Sequence, residues 1–245
     1  MKLFVLAFGV HPDDVELSCS GTLINEINKG NKAGVIDLTA GELGTRGTAA
    51  TRASEASLAG KIMGLSAREN LGMRDGFFVN DEEHKLKVIA AIRKYQPEIV
   101  LANILDDRHP DHGRAGKLVS DACFLAGLSK IETIGDDGLP QQRWRPKHLL
   151  HYIQDRFYEP NLIVDITNVF DQRMEAIKAY STQFHTSTDS SKGTQTYIST
   201  PDFLDALVSR SRLLGKRIGV KYAEGFVSQK NIGIRNLQDL VLVET

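Results

Sequence analysis

Cysteine is scarce in this chain: Cys19 and Cys123 are its two thiols, both in helix-like stretches and neither in a CxxC pair. They cannot build a disulfide framework, and the expectation is two reduced, mostly buried thiols. An excess of one charge sign is also missing, since 30 basic side chains face 31 acidic ones for a net charge of -1. No general field attracts phosphate backbones or anionic lipid, so nucleic acid and membrane are not expected partners. Nowhere does the chain approach the roughly 20 apolar residues of a membrane-spanning helix. The apolar run from Leu3 to Val10 follows a single lysine and leads into acidic residues rather than a small-residue cleavage site. It reads as a first buried strand, with the cytoplasm as the expected location. Linker-like tracts, repeats and low-complexity segments are absent too, which leaves residues 1–245 as one expected domain.

What is present is alternation. LFVLAFGV is followed by an amphipathic stretch from Asp14 to Lys29 and then by AGVIDLT, which reads strand, helix, strand. A helix near Ala50 to Met63, a short strand near Asn70-Leu71-Gly72, a helix near Glu82 to Tyr95 and the run EIVLANIL continue the pattern. A helix from His112 to Leu125, the β-like runs HLLHYIQ and NLIVDIT, and helices near Asp171 to Tyr180 and Pro201 to Leu214 complete it. Apolar runs without polar alternation suit strands covered on both faces. The fold class is therefore α/β, a doubly wound, mostly parallel, Rossmann-like sheet with helices on both faces.

Ligands in such sheets sit beyond the carboxyl ends of the strands. That rule selects His11-Pro12-Asp13-Asp14, directly after the first strand, and Asp107-Arg108-His109-Pro110-Asp111-His112, after the strand ending near Ile104. The outer residues of HPDD and of HPDH stand three apart, a spacing that shares one helix face, and proline suits a first helical turn. His11 and Asp14 can then point at a common ion with Asp13 unligated beside it, while His109 and His112 share the same geometry. Three histidines and four carboxylates at one sheet edge repel one another unless a cation joins them. Nitrogen and oxygen donors without thiolate suit a catalytic zinc site with one open position.

With these two motifs the chain resembles the LmbE-like, PIG-L-type zinc deacetylases. GELGTRGT (Gly41 to Thr48), Arg52 with Glu55, DRHPDHG, WRP (Trp144 to Pro146), HYIQ, YSTQF (Tyr180 to Phe184) and YAEGF (Tyr222 to Phe226) resemble the branch that deacetylates N-acetylglucosaminyl malate in bacillithiol biosynthesis. The resemblance implies one Zn2+ per chain, with Fe2+ as the other divalent candidate, held by His11, Asp14 and His112. It also implies Asp13 as general base, His109 free of the metal to stabilise the oxyanion, and Asp111 orienting His109 and keeping it cationic. Arg52 and Arg145 match substrate-contacting arginines, with Arg46 as a further candidate. A small-molecule amino sugar is the implied partner, and a homo-oligomer, trimer or hexamer, the implied assembly.

Asp107 and Arg108 are read as loop-shaping residues or an internal ion pair, and His84, His148, His151 and His185 as surface or packing residues. Val10, Ser18 and Ala40 depart from the family pattern without removing a catalytic group. Two other classes share part of the pattern. A mononuclear non-haem iron oxidoreductase uses two histidines and a carboxylate, but on a β-sandwich barrel. A metal-containing sugar-binding protein has no use for an unligated Asp13.

Overall fold

The apolar run after Lys2 forms β1 (Val5–Gly9), and all five residues are buried. Its side chains leave alternately to opposite faces: Leu6 and Phe8 join one core cluster, Val5 and Ala7 another. The strand lacks polar alternation because neither face meets water. The computed structural model describes residues 1–184 and 194–241. Around β1 the chain adds β2 (Ala33–Thr39), β3 (Ala67–Met73), β4 (Ile99–Asn103), β5 (His148–Tyr152), β6 (Leu162–Asp165) and β7 (Ala223–Ser228).

These strands make one sheet in the order β3-β2-β1-β4-β5-β7-β6. β1 to β5 pair in parallel, whereas β7 lies antiparallel between β5 and β6. The expected doubly wound α/β class is the observed one. β1 pairs with β2 on one side and β4 on the other, so the order reverses there and a crevice opens beyond the two strand ends. Helices α4 (Glu82–Tyr95) and α5 (Pro110–Leu125) cover one face, and α2 (Ser20–Asn28) and α6 (Phe170–Lys178) the other. α3 (Ala49–Met63) and α7 (Pro201–Arg217) pack with α1 (Asp14–Ser18) and α6 in a third apolar cluster holding Leu17, Ala56, Ile177 and Leu207.

Three elements differ from the sequence reading. The helix expected over Asp14 to Lys29 is two helices, broken at Cys19, whose backbone (φ -146°, ψ 14°) leaves the helical region. The break exposes the start of α2, and the buried Glu224 carboxylate fills it by accepting from Gly21 N at 2.9 Å and Thr22 N at 2.8 Å. A carboxylate is favoured at a helix N-terminus, and Arg173 Nε, 3.0 Å from Glu224 Oε1, balances its charge. YAEGF, read only as a motif, supplies most of β7. HPDD does not lie inside a first helical turn: Asp13 is the N-cap of α1 and Pro12 precedes it. No helix among the described residues is long and apolar enough to cross a membrane.

Candidate active site

β1 and β4 end side by side, and the loops leaving them bring HPDD and HPDH to one cavity of about 440 Å³. His11, Asp13, Asp14, His109, His112 and Arg52 all line it. The imidazole centroids lie 4.8 Å apart for His11 and His109, 5.8 Å for His11 and His112, and 5.2 Å for His109 and His112.

Asp14 is the best-held group. Its Oδ2 accepts from Val10 N at 2.9 Å, His11 N at 3.1 Å and Asn103 Nδ2 at 3.0 Å. Oδ1 accepts from Gln154 Nε2 at 3.0 Å and lies 3.3 Å from His112 Nε2. Burial pushes this carboxyl upward, but the charge and hydrogen bond of His112, with help from His11, outweigh it and hold the pKa well below the usual range. His112 shows the reciprocal shift. Burial lowers its pKa, yet Asp14 and Asp107 together raise it to about 10.

Each of these two histidines is tied on its outer side to a carboxylate. His112 Nδ1 lies 2.6 Å from Asp107 Oδ2, and His11 Nε2 lies 3.0 Å from Asp75 Oδ1. The other ring nitrogens, His112 Nε2 and His11 Nδ1, lie 3.3 and 3.9 Å from Asp14. A carboxylate behind a ligating imidazole fixes its tautomer and raises its basicity. Among the described residues, single donor atoms come within 4.8 Å of one another in two sets, His11-His109-His112 and His11-Asp75-Asp111. Both centre on His11, and Asp14 lies against the first. Two imidazoles and a carboxylate without thiolate suit zinc.

Asp13 is held differently. Its φ of 129° is one of two positive values among the described non-glycine residues, a strained backbone of the kind found at functional sites. Oδ2 accepts from Arg52 Nη2 at 3.2 Å. Burial is the largest influence on the carboxyl and raises its pKa to about 7 against the opposing charge of Arg52. Arg52 lines the cavity as expected, but Nη2 also donates to Pro12 O at 2.7 Å and Nη1 to Gly41 O at 3.1 Å. The guanidinium thus holds the early turn. Gly41 permits this approach, since a Cβ there would clash with Arg52 Nη1.

Two expected placements are corrected. Arg145 does not line the cavity: it donates to Phe124 O at 2.9 Å and stacks 4.4 Å from the Phe124 ring, at the far end of α5 from His109. Sixteen helical residues, about 24 Å, separate the two ends of that helix. Asp111 does not orient His109 through its carboxylate, whose oxygens accept from Gly76 N at 2.8 Å and Arg114 Nη1 at 2.7 Å. It is the Asp111 backbone N–H that donates to His109 Nδ1, at 3.3 Å. Burial first, then the neighbouring His11 and His112, lowers the His109 pKa, while the Asp111 charge acts the other way without outweighing them. The backbone bond leaves the proton of the neutral ring on Nε2.

Sequence reasoning missed Asp75, Asn103 and Gln154, and gave Asp107 only a loop role. Asp107 and Arg108 form no ion pair with each other: Asp107 takes His112 and Arg156 N, while Arg108 Nε donates to Asp155 at 2.6 Å. Asp75 had a legible signal, because it follows β3 at the same sheet edge. His151 packs inside the sheet as a buried side chain donating to Asn103 O, and His185 lies outside the described residues.

Comparison with known proteins gives a consistent setting. The family model PIG-L, described as GlcNAc-PI de-N-acetylase, matches residues 6–123, the span carrying both turns. The chain is 28% identical over 197 residues to a diacetylchitobiose deacetylase of Thermococcus kodakarensis, covering 74% of this chain and 70% of that protein. Among solved structures, conserved protein TT1542 of Thermus thermophilus shares 35% identity at a TM-score of 0.83, over 95% of this chain and 97% of that one. The 4-carboxy-2-hydroxymuconate hydratase GalB of Pseudomonas putida KT2440 shares 21% identity at a TM-score of 0.76, over 97% of this chain and 100% of that one. That last likeness is one of fold alone, and it shows that the fold does not dictate the reaction.

Proposed function

From the premise that the chain belongs to the PIG-L (GlcNAc-PI de-N-acetylase) family, we propose that it is a zinc-dependent N-deacetylase of N-acetylglucosaminyl substrates, with N-acetylglucosaminyl L-malate of bacillithiol biosynthesis as its substrate. One observation carries the reading: His11 and His112 are each backed by a carboxylate, with the Asp14 carboxylate against their other nitrogens. His11, Asp14 and His112 would hold the ion. Asp14 Oδ2 accepts three hydrogen bonds and Oδ1 one, from Gln154, so Oδ1 would be the less engaged oxygen toward an ion. His109, whose ring has no carboxylate partner, stays off the metal.

Bound zinc supplies Lewis-acid polarisation and a lowered water pKa. Asp13 takes the proton of the attacking water and returns it to the departing nitrogen, work suited to a carboxyl poised near neutrality. Arg52 keeps that carboxylate in place. His109 donates from Nε2 to the carbonyl oxygen as negative charge develops on it. A trimer or hexamer is the assembly proposed on resemblance, and light scattering reads it directly.

The test is acetate release from N-acetylglucosaminyl malate, N-acetylglucosamine and diacetylchitobiose, with and without chelator, beside metal analysis of wild type and His112→Ala. The proposal expects chelator-sensitive release, greatest on the malate conjugate, and loss of metal from His112→Ala. Substrate-dependent oxygen uptake, or a fully loaded protein that releases no acetate, would sink it.

A further inference from the structure

The two arginines expected to meet the substrate are not free to do so: Arg52 is spent on the early turn and Arg145 lies outside the cavity. The wall that α7 contributes to the cavity offers another. Phe203, Leu207 and Arg210 of α7 all line the cavity, and their spacing of four and three residues puts them on one helix face. The face runs from apolar to cationic over about 10 Å.

Charge bookkeeping at that end singles out Arg210. Asp155 also lines the cavity, but Arg108 Nε at 2.6 Å and the Tyr197 hydroxyl at 2.7 Å occupy its two oxygens. The Arg108 guanidinium is further covered by the Tyr197 ring at 4.1 Å. Arg210 is half-buried and has one hydrogen bond among the described residues, from Nη2 to Leu17 O at 2.8 Å. It has no carboxylate partner among the described residues, unlike the paired Arg108 and Arg173. Burial is the main influence lowering its pKa, to about 10. Glu224, Asp155 and Asp107 act on it through space while bonded to other partners; burying a guanidinium without a directly paired carboxylate is costly, and an anion arriving from the cavity offsets that cost.

We propose that Arg210 is the specificity-determining residue of the cavity and receives an anionic group, carboxylate or phosphate, carried on the aglycone of the amino sugar. The inference rests on the deacetylase reading and adds the residue that selects the aglycone.

The experiment measures kcat and KM for wild type, Arg210→Met and Arg210→Lys on three sugars. These are N-acetylglucosaminyl malate, N-acetylglucosamine 1-phosphate and the neutral methyl N-acetylglucosaminide. Wild type is expected to favour at least one anionic sugar over the neutral one by tenfold or more in kcat/KM. The sugar that loses its advantage identifies carboxylate or phosphate as the group received. In Arg210→Met the anionic-to-neutral ratio is expected to fall roughly ten- to hundredfold, the range of a hydrogen bond to a charged group, mostly through KM. Arg210→Lys, which keeps the charge but not the fork, is expected to fall between, and it carries the test if the methionine variant does not fold. A ratio within twofold of wild type in the folded variants, or a wild type indifferent to charge, overturns the proposal. Metal-loaded wild type that deacetylates none of the three overturns the deacetylase reading itself and this inference with it.

Discussion

HPDD and HPDH share their first three letters and one sheet edge, yet the chain enters its helix two residues later in the first than in the second. Asp13, third in the early turn, is the N-cap of α1, whereas in the later turn His109, first in the motif, caps α5 with Pro110 in its first turn. The same tripeptide therefore gives its aspartate different partners in the two turns. Asp13 sits on strained backbone and lines the cavity. Asp111, inside a regular helix, turns its carboxylate to Gly76 and Arg114. A short motif fixes which groups are available, and the register of the helix start decides which of them reach the ligand.

Breaking each turn at its third residue tests that contrast most strongly. Asp13→Asn keeps the shape and suits a positive φ, but cannot accept the proton. Its kcat is expected to fall by about 10²–10⁴ with zinc content unchanged. Loss of metal from this variant would show that base and ligand have been confused. Asp111→Asn is expected to leave kcat within a fewfold of wild type. In the proposed mechanism the later turn contributes His109, and His109→Ala is expected to lower kcat by about 10²–10³, again with metal retained.

The carboxylates behind the histidines give smaller effects. Asp107→Ala and Asp75→Ala are expected to weaken zinc binding by roughly 10–100-fold, read by competition with a chromogenic chelator, since each imidazole loses the group that sets its tautomer. Unchanged affinity in both would detach these residues from the metal. Last comes a pH effect. Because Asp14 and Asp107 raise His112 to about 10 in the metal-free protein, its ring carries a proton at neutral pH. Zinc must displace that proton, so affinity rises with pH up to about 10, and calorimetry in buffers of different ionisation heat should record proton release. Metal uptake at pH 7 without proton release would contradict the ion pair of His112 and Asp14.

Much of this was legible in the sequence. Apolar runs without alternation gave the parallel core around β1, and the rule for strand ends placed both turns at one edge. The helix register was not legible, because proline is tolerated both before a cap and just after one. The break at Cys19 was hidden as well: Leu17, Leu23, Ile24 and Ile27 keep helical spacing across it, and the group that stabilises it, Glu224, lies far along the chain. Arg145 misled for a related reason. A guanidinium that suits a carboxylate suits a helix-end carbonyl and a phenyl ring equally, and only the fold separates these uses.

Glu224 couples β7 to the start of α2. The start of α2 receives its acceptor from β7, about two hundred residues downstream. During synthesis the early turn therefore leaves the ribosome long before the carboxylate that closes the gap behind α1. A nascent chain halted before residue 224 would hold His11, Asp13 and Asp14 without that anchor. The helix that follows the early turn is thus capped only when β7 is laid in, a late closure typical of contacts distant in sequence.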